Sequence, residues 1–382
     1  MRVMVSCGEP SGDLYAGALA AEILRKRPST EIVGFGGDRL QAAGARLLQN
    51  FSGLSVTGLL EAVRVLPQTY GTYRRLVEDA EATRPDVFVA VDFPDFNFVL
   101  ARALKKRGIP IVCYISPQLW AWRSGRMATM KRLVERVLVI FPFEEQIYRD
   151  AGVPVEWVGH PLFDLAREPA PRESFLRSIG IAPERPVVAL LPGSRTNELR
   201  AILPDLITAS ALIRLQVPDV QFLLARAPHL RDELLAPLLD LPPAHRIVVV
   251  DGRADDVLAA VDAAVVASGT ITVQAALHGC PMVVVYRLSP MTYRLGKPFV
   301  RVETYAMPNL VAGRSVVREL IQDDFTPAAV ASETVRLLTD FHYADGMRGE
   351  LREVAARLGG TGASSRAADA VLAVAERRGH VG

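Results

Sequence analysis

Asp86-Val87-Phe88-Val89-Ala90-Val91-Asp92-Phe93-Pro94-Asp95-Phe96-Asn97 sets five unbroken apolar residues between two aspartates and follows them with a proline. A run this short, rich in β-branched and aromatic residues, reads as a strand buried on both faces, as in a parallel sheet covered by helices. Working outward, similar runs at 2–6, 31–33, 110–115, 136–140 and 155–158 are each followed by a turn and a helical pattern. That βαβ rhythm predicts a doubly wound α/β domain.

Around Arg167-Glu168-Pro169-Ala170-Pro171-Arg172-Glu173 the composition shifts to charge and proline. A second rhythm then begins, with strands at 186–191, 220–224, 246–251, 263–267 and 282–286. The sequence therefore predicts two domains, 1–165 and 166–382, the second ending in helices. The total of 382 residues suits two such cores better than one. Ligands of doubly wound sheets sit beyond the carboxyl ends of the strands, so a site is expected in a cleft between the domains.

Composition excludes several classes. Half of the residues are hydrophobic and 23% are charged, which argues against disorder. A formal net charge of +2 is too small for a nucleic-acid partner. Cys7, Cys113 and Cys280 are far apart, with no CxxC pair, which suggests neither a disulfide framework nor a zinc site and fits a reducing, cytoplasmic compartment. The amino terminus reaches Gly8, Glu9 and Asp13 too soon for a signal peptide. The uncharged stretch 263–286 is broken by Ser268-Gly269-Thr270 and Gly279-Cys280-Pro281, so no membrane span is expected.

The residues placed just after strands carry the chemistry. Leu191-Pro192-Gly193-Ser194-Arg195 leads into Thr196-Asn197-Glu198 and a helix. This suits a phosphate held by a helix N-terminus and an arginine, and equally a plain turn capped by Ser194. Ser268-Gly269-Thr270 offers a second such helix start, with capping alone as the other reading. Neither loop carries a dinucleotide G-x-G-x-x-G or a P-loop lysine. Asp92, at the end of its strand, stands where a general base belongs, its pKa raised by apolar walls, while Asp95 reads as a helix cap. Gly8-Glu9-Pro10-Ser11-Gly12-Asp13 fits a helix start. Ser116-Pro117-Gln118-Leu119-Trp120-Ala121-Trp122-Arg123 fits a cleft wall or a turn, and His160 fits the cleft or a satisfied structural histidine.

Together these segments resemble the lipid-A-disaccharide synthase family. The resemblance rests on Gly8-Glu9-x-Ser11-Gly12-Asp13, Val56-x-Gly58 with Glu61, Asp92-x-Pro94-Asp95-Phe96-Asn97 and Ser116-Pro117-x-x-Trp120-Ala121-Trp122-Arg123. It continues through Phe141-Pro142-Phe143-Glu144, Gly159-His160, Leu191-Pro192-Gly193-Ser194-Arg195 with Glu198, Ser268-Gly269-Thr270, Pro281-Met282-Val283-Val284, and Pro308-Asn309-Leu310 with Gly313. The order and spacing span nearly the whole chain.

The resemblance implies a GT-B fold of two Rossmann-like domains and an inverting glycosyltransferase. The implied donor is UDP-2,3-diacylglucosamine, the acceptor 2,3-diacylglucosamine 1-phosphate, with no metal and no cofactor. It implies Asp92 as base and Gly193, Ser194, Arg195, Ser268, Gly269, Thr270, Gln274 and Asn309 toward the donor. Glu9, Ser11, Asp13, Asn97, Gln118, Trp122, Arg123 and His160 are the acceptor or cleft candidates. Departures are Gln274 in place of a ribose-binding Glu, Thr57 in place of Met, and Asp38 in place of Pro. A nucleotide-sugar epimerase and a non-catalytic UDP-sugar binding module are the alternatives, the second disfavoured by the presence of Asp92, Arg195 and Asn309.

Because the implied substrates are diacylated, peripheral attachment to the cytoplasmic face of the inner membrane is also expected. Leu59, Leu60, Val63 and Leu66 recur at helical spacing, with Arg64, Arg74 and Arg75 nearby, and form the candidate membrane patch. A helix packed on its own core has the same pattern.

Overall fold

The computed structural model describes residues 1–51, 59–117, 119, 124–288 and 304–379, with backbone only for 59–66, 124, 378 and 379. The chain forms two compact units: Met1–Leu165 together with the segment that begins at Leu358, and Ala166–Arg357.

The first unit runs β1 (Arg2–Ser6), α1 (Pro10–Lys26), β2 (Glu31–Gly36), α2 (Asp38–Ala42), β3 (Arg46–Asn50), α3 (Leu59–Thr83) and β4 (Val87–Val91). It continues through α4 (Pro94–Lys105), β5 (Ile111–Tyr114), α5 (Met127–Leu133), β6 (Arg136–Val139), α6 (Pro142–Asp150), β7 (Val155–Trp157) and α7 (Leu162–Leu165). All described strand pairs are parallel, in the order β3-β2-β1-β4-β5-β6-β7. Every residue of β4 is buried, as expected for a strand with helices on both faces.

The second unit holds α8 (Arg172–Ser178), β8 (Val187–Leu191), α9 (Thr196–Gln216), β9 (Gln221–Arg226), α10 (Ala236–Leu239), β10 (Ile247–Asp251) and α11 (Ala254–Ala260). There follow β11 (Ala263–Ala267), α12 (Thr270–Leu277), β12 (Met282–Tyr286), α13 (Met307–Ala312), β13 (Arg318–Ile321), α14 (Pro327–Thr339) and α15 (Phe341–Arg357). Its sheet is also parallel, in the order β10-β9-β8-β11-β12-β13.

Strands β3 and β13 are the two that the apolar pattern does not announce. Both lie at a sheet edge, and Arg46-Leu47-Leu48-Gln49-Asn50 and Arg318-Glu319-Leu320-Ile321 keep polar residues there. An edge strand buries less side-chain surface and tolerates polar residues, so the hydrophobic signal fades.

The domain boundaries need one correction. The last helix, α16 (Ala363–Gly379), belongs to the first unit rather than the second. Its Ala367, Ala368, Val371 and Ala375 are buried, and it packs along α1, where Ala16, Leu19, Ala20 and Ile23 are buried in turn. Small residues on both helices allow close approach. The rim carries the ion pairs Lys26–Asp369 (2.7 Å) and Arg27–Glu376 (2.6 Å). Asp164 accepts from the backbone N–H groups of Gly362 (2.5 Å) and Ser364 (2.7 Å), capping the helix start from within the same unit.

Val371 is fully buried in this seam. Val371→Asp should therefore destabilise the first unit by about 3 kcal/mol or more, since an unpaired charge would replace a packed methyl pair. Denaturant unfolding would check this, and a midpoint equal to that of the unmodified chain would refute the packing.

Candidate active site

Strand order reverses between β1 and β4 in the first sheet and between β8 and β11 in the second. Connections on either side of such a reversal leave to opposite faces, so a crevice opens at the carboxyl ends. The residues singled out from sequence fall there: 8–13 after β1, 92–97 after β4, 193–195 after β8 and 268–270 after β11.

At the first crevice the backbone is strained. Asp92 and Phe93 have φ of 46° and 50°, a left-handed pair without glycine. Two supports hold them. Phe93 packs over Gly8, where a Cβ would lie 2.4 Å from the Phe93 ring, so only glycine fits. Asn97, buried, donates from Nδ2 to the Asp92 carbonyl (2.7 Å) and the Ser6 carbonyl (3.2 Å), and its Oδ1 accepts from Ser6 Oγ (2.6 Å). Asn97 thus pins the ends of β1 and β4 together and sets Asp92. It does not face outward as an acceptor contact. Asp95 is exposed and ion-pairs with Arg126 (2.7 Å). One wall beside Asp92 and Asn97 is apolar, a crevice of about 20 Å³ lined by Phe98, Cys113 and Met130 among others.

Asp13 is likewise turned inward. Its carboxylate accepts from the N–H groups of Gly37 (2.7 Å), Arg39 (2.9 Å) and Leu40 (3.1 Å), capping α2 across the fold. Glu9 and Ser11 are partly exposed at the start of α1. His160 is 1% exposed and sits edge-on to Tyr15 and Phe141. Its Nδ1 accepts from the Leu162 N–H (3.2 Å), and burial pushes its pKa down to about 3. It is a neutral core histidine. Gln118, Trp122 and Arg123 lie outside the described residues. So do the side chains of Leu59, Leu60, Val63 and Leu66, whose backbone is helical in α3.

The three thiols are buried, and burial raises each pKa, to about 12 for Cys113 and Cys280. None is a poised nucleophile. Among the described residues no group of three or more His, Cys, Asp or Glu side chains is gathered to hold a metal ion.

The second crevice is built on charge. Arg195 is the N-cap of α9, and Glu198 Oε2 accepts from the N–H groups of Ser194 (3.1 Å) and Arg195 (3.2 Å). Glu198 Oε1 accepts from Arg195 Nη1 (2.9 Å), which orients the guanidinium, itself 46% exposed. The backbone donors expected to be open here are thus held by a carboxylate of the chain. Gly193 makes room for it: φ is +116°, and a Cβ would lie 2.4 Å from Glu198 Oε2.

Across the crevice, Ser268 Oγ donates to the Tyr305 carbonyl (3.2 Å), and α12 starts at Thr270 after Gly269. Gln274 Nε2 donates to Asp255 Oδ1 (2.7 Å), which His278 Nε2 also contacts (2.9 Å). Burial pushes Asp255 up, but bonds from His278, Gln274 and the Arg167 N–H outweigh it and hold its pKa below the usual value. A carboxylate therefore stands beside the neutral Gln274. Asn309 is 2% exposed, and its amide is used internally, by Val316 N (2.7 Å), Val317 N (2.9 Å), Val317 O (2.9 Å) and Glu319 (2.7 Å). It ties α13 to the entry of β13 rather than presenting its amide outward.

Asp255 and Glu319 are not found from local pattern. Asp255 lies inside a helix, and Glu319 in an edge strand without an apolar run.

The sequence model of lipid-A-disaccharide synthetase matches residues 3–371. The chain belongs to the lipid-A-disaccharide synthase family. The lipid-A-disaccharide synthase of Koribacter versatilis is 43% identical over 384 residues, covering 99% of this chain and 100% of that one. Among solved structures, the glycotransferase of kitacinnamycin has a TM-score of 0.63 at 21% identity, covering 99% of this chain and 98% of its own. A UDP-N-acetylglucosamine 2-epimerase has a TM-score of 0.60 at 14% identity, with 92% and 90% covered. The fold is GT-B, and as a member of the lipid-A-disaccharide synthase family the chain is a glycosyltransferase of lipid A biosynthesis. The epimerase likeness concerns the fold alone.

The buried His160 carries a pH signature. Its pKa is depressed in the folded chain, so below about 6.5 the unfolded chain takes up a proton that the folded one refuses. Its contribution to stability should fall by up to about 1.4 kcal/mol per pH unit from there toward pH 3. His160→Asn, whose Oδ1 can replace Nδ1 as acceptor, should flatten the decline in melting temperature between pH 7 and pH 5. Parallel curves for the two proteins would contradict it.

Proposed function

We propose that the protein transfers 2,3-diacylglucosamine from its UDP derivative to the 6-hydroxyl of 2,3-diacylglucosamine 1-phosphate, forming a β-1,6 bond and releasing UDP. The observation that carries this reading is the strained Asp92, held by Asn97 and Gly8 at the strand reversal of one unit, in a chain whose other unit sets Arg195 at the equivalent reversal. Strain of this kind clusters at sites of chemistry, where the surrounding contacts hold it in place.

In this reading Asp92 accepts the proton of the acceptor 6-hydroxyl as that oxygen attacks the anomeric carbon. The bond from that carbon to the diphosphate breaks on the opposite face, which inverts the configuration. Negative charge grows on the departing diphosphate. Arg195, aimed by Glu198, and the amino-terminal end of α12 meet that charge in the transition state. Gln274 and its neighbour Asp255 are the groups suited to the ribose hydroxyls.

Diacylated substrates have to be drawn from a bilayer. Peripheral attachment at the cytoplasmic face of the inner membrane is therefore part of the proposal; among the described residues no helix is long and apolar enough to cross a membrane. Helix α3 is the proposed contact. Tyr70 on it is 63% exposed and stacks with Tyr73, an aromatic pair suited to a lipid headgroup layer, and Arg74 and Arg75 follow.

Asp92→Asn should lower turnover ~10²–10⁴-fold while the dissociation constant of UDP stays the same, because the amide keeps the shape but cannot take the proton. Steady-state assay of UDP release beside calorimetric UDP titration separates the two effects. Weaker UDP binding with turnover intact would reverse the assignment.

Leu60→Glu combined with Leu66→Glu should reduce binding to anionic vesicles and activity together, while the melting temperature hardly moves. A large drop in melting temperature would place these leucines in the core.

A further inference from the structure

The segment 304–306 leads into α13 after the ends of β12 and β11, and one side chain gathers it. Glu319, on edge strand β13, accepts from the Tyr305 N–H on Oε2 (2.8 Å) and from the Ala306 N–H (3.1 Å) and Asn309 Nδ2 (2.7 Å) on Oε1. Asn309 in turn ties α13 to Val316 and Val317 at the entry to β13. The Tyr305 carbonyl, which shares its peptide with the Ala306 N–H, accepts from Ser268 Oγ (3.2 Å), the residue that precedes the Gly269 turn into α12. A continuous line of hydrogen bonds therefore runs from Glu319, through the Tyr305–Ala306 peptide, whose N–H donates to Glu319 and whose carbonyl accepts from Ser268, to the second unit's strand reversal.

We propose that Glu319 is a positioning residue for donor binding: it sets residues 304–306 and the start of α13 so that the Tyr305 carbonyl fixes Ser268 and the start of α12 in the geometry that receives the nucleotide diphosphate. This rests on the donor-site reading above and extends it to a residue that does not touch the donor.

The chemistry demands a carboxylate. Three N–H donors converge on two oxygens, and each oxygen must accept. An amide has one acceptor oxygen, so Glu319→Gln turns an NH₂ group toward at least one of those donors and leaves it unsatisfied. Losing one partly buried hydrogen bond of this kind shifts an equilibrium by roughly tenfold.

The test is UDP titration by calorimetry, with steady-state kinetics in both substrates, on the full chain. Glu319→Gln should raise the UDP dissociation constant and the donor KM about tenfold, leaving the acceptor KM and the pH profile of turnover unmoved. Glu319→Asp keeps two acceptor oxygens on a shorter arm and should fall between Gln and the natural residue. It serves as the reading variant if Glu319→Gln unfolds. In a double-mutant cycle with Ser268→Ala the two losses should be non-additive, because both cut the same line. UDP affinity within twofold of the unmodified chain in both Glu319 variants would overturn the proposal, as would strictly additive losses or a fall in turnover with donor affinity intact. Failure of the unmodified chain itself to bind UDP would bring down the donor-site reading, and this inference with it.

Discussion

In a wholly parallel sheet every strand delivers its carboxyl end to the same edge, and a helix normally covers each exit. Only where strand order reverses do neighbouring connections part to opposite faces and leave backbone and side chains reachable. Both sheets of this chain reverse once among the described strands, at β1/β4 and β8/β11. The placement of Asp92 and Arg195 follows from those two reversals more than from any local feature of the loops.

What surrounds these positions is a shell of satisfied polar groups. Asn97, Asp13, Glu198, Asp255 and Glu319 each accept or donate several bonds to backbone or to a neighbouring side chain. A buried polar group left unpaired is costly, so such groups are found either fully engaged or at a site of chemistry. Engagement of this kind lets the Asp92–Phe93 turn persist in a backbone region that ordinarily costs about 1–3 kcal/mol per residue. The same logic separates candidates. Asp13, Asn97 and Asn309 carry the right residue types, yet their hydrogen-bonding capacity is directed into the protein.

Fold and chemistry enter at different levels. A glycotransferase and an epimerase share this architecture at 21% identity or less, so two parallel sheets alone do not select a reaction. Membership of the lipid-A-disaccharide synthase family is carried by sequence over residues 3–371, not by the architecture.

The α/β rhythm, the two sheets and the loops worth inspecting were legible in the sequence because buried parallel strands write unbroken apolar runs, as in Val87-Phe88-Val89-Ala90-Val91, and glycine and proline punctuate their exits. The return of α16 to the first unit was not legible, since an amphipathic helix records that it has a buried face but not which helix covers it. Edge strands β3 and β13 escaped because one flank lacks a strand neighbour and polar residues are tolerated there. Which way Asp13, Asn97, His160 and Asn309 turn was decided only by tertiary structure. Their partners lie in other turns, strands and helices, as when Asp13 caps α2 or Asn97 joins two strand ends, and a hydrogen bond's direction is a property of the folded arrangement rather than of local sequence.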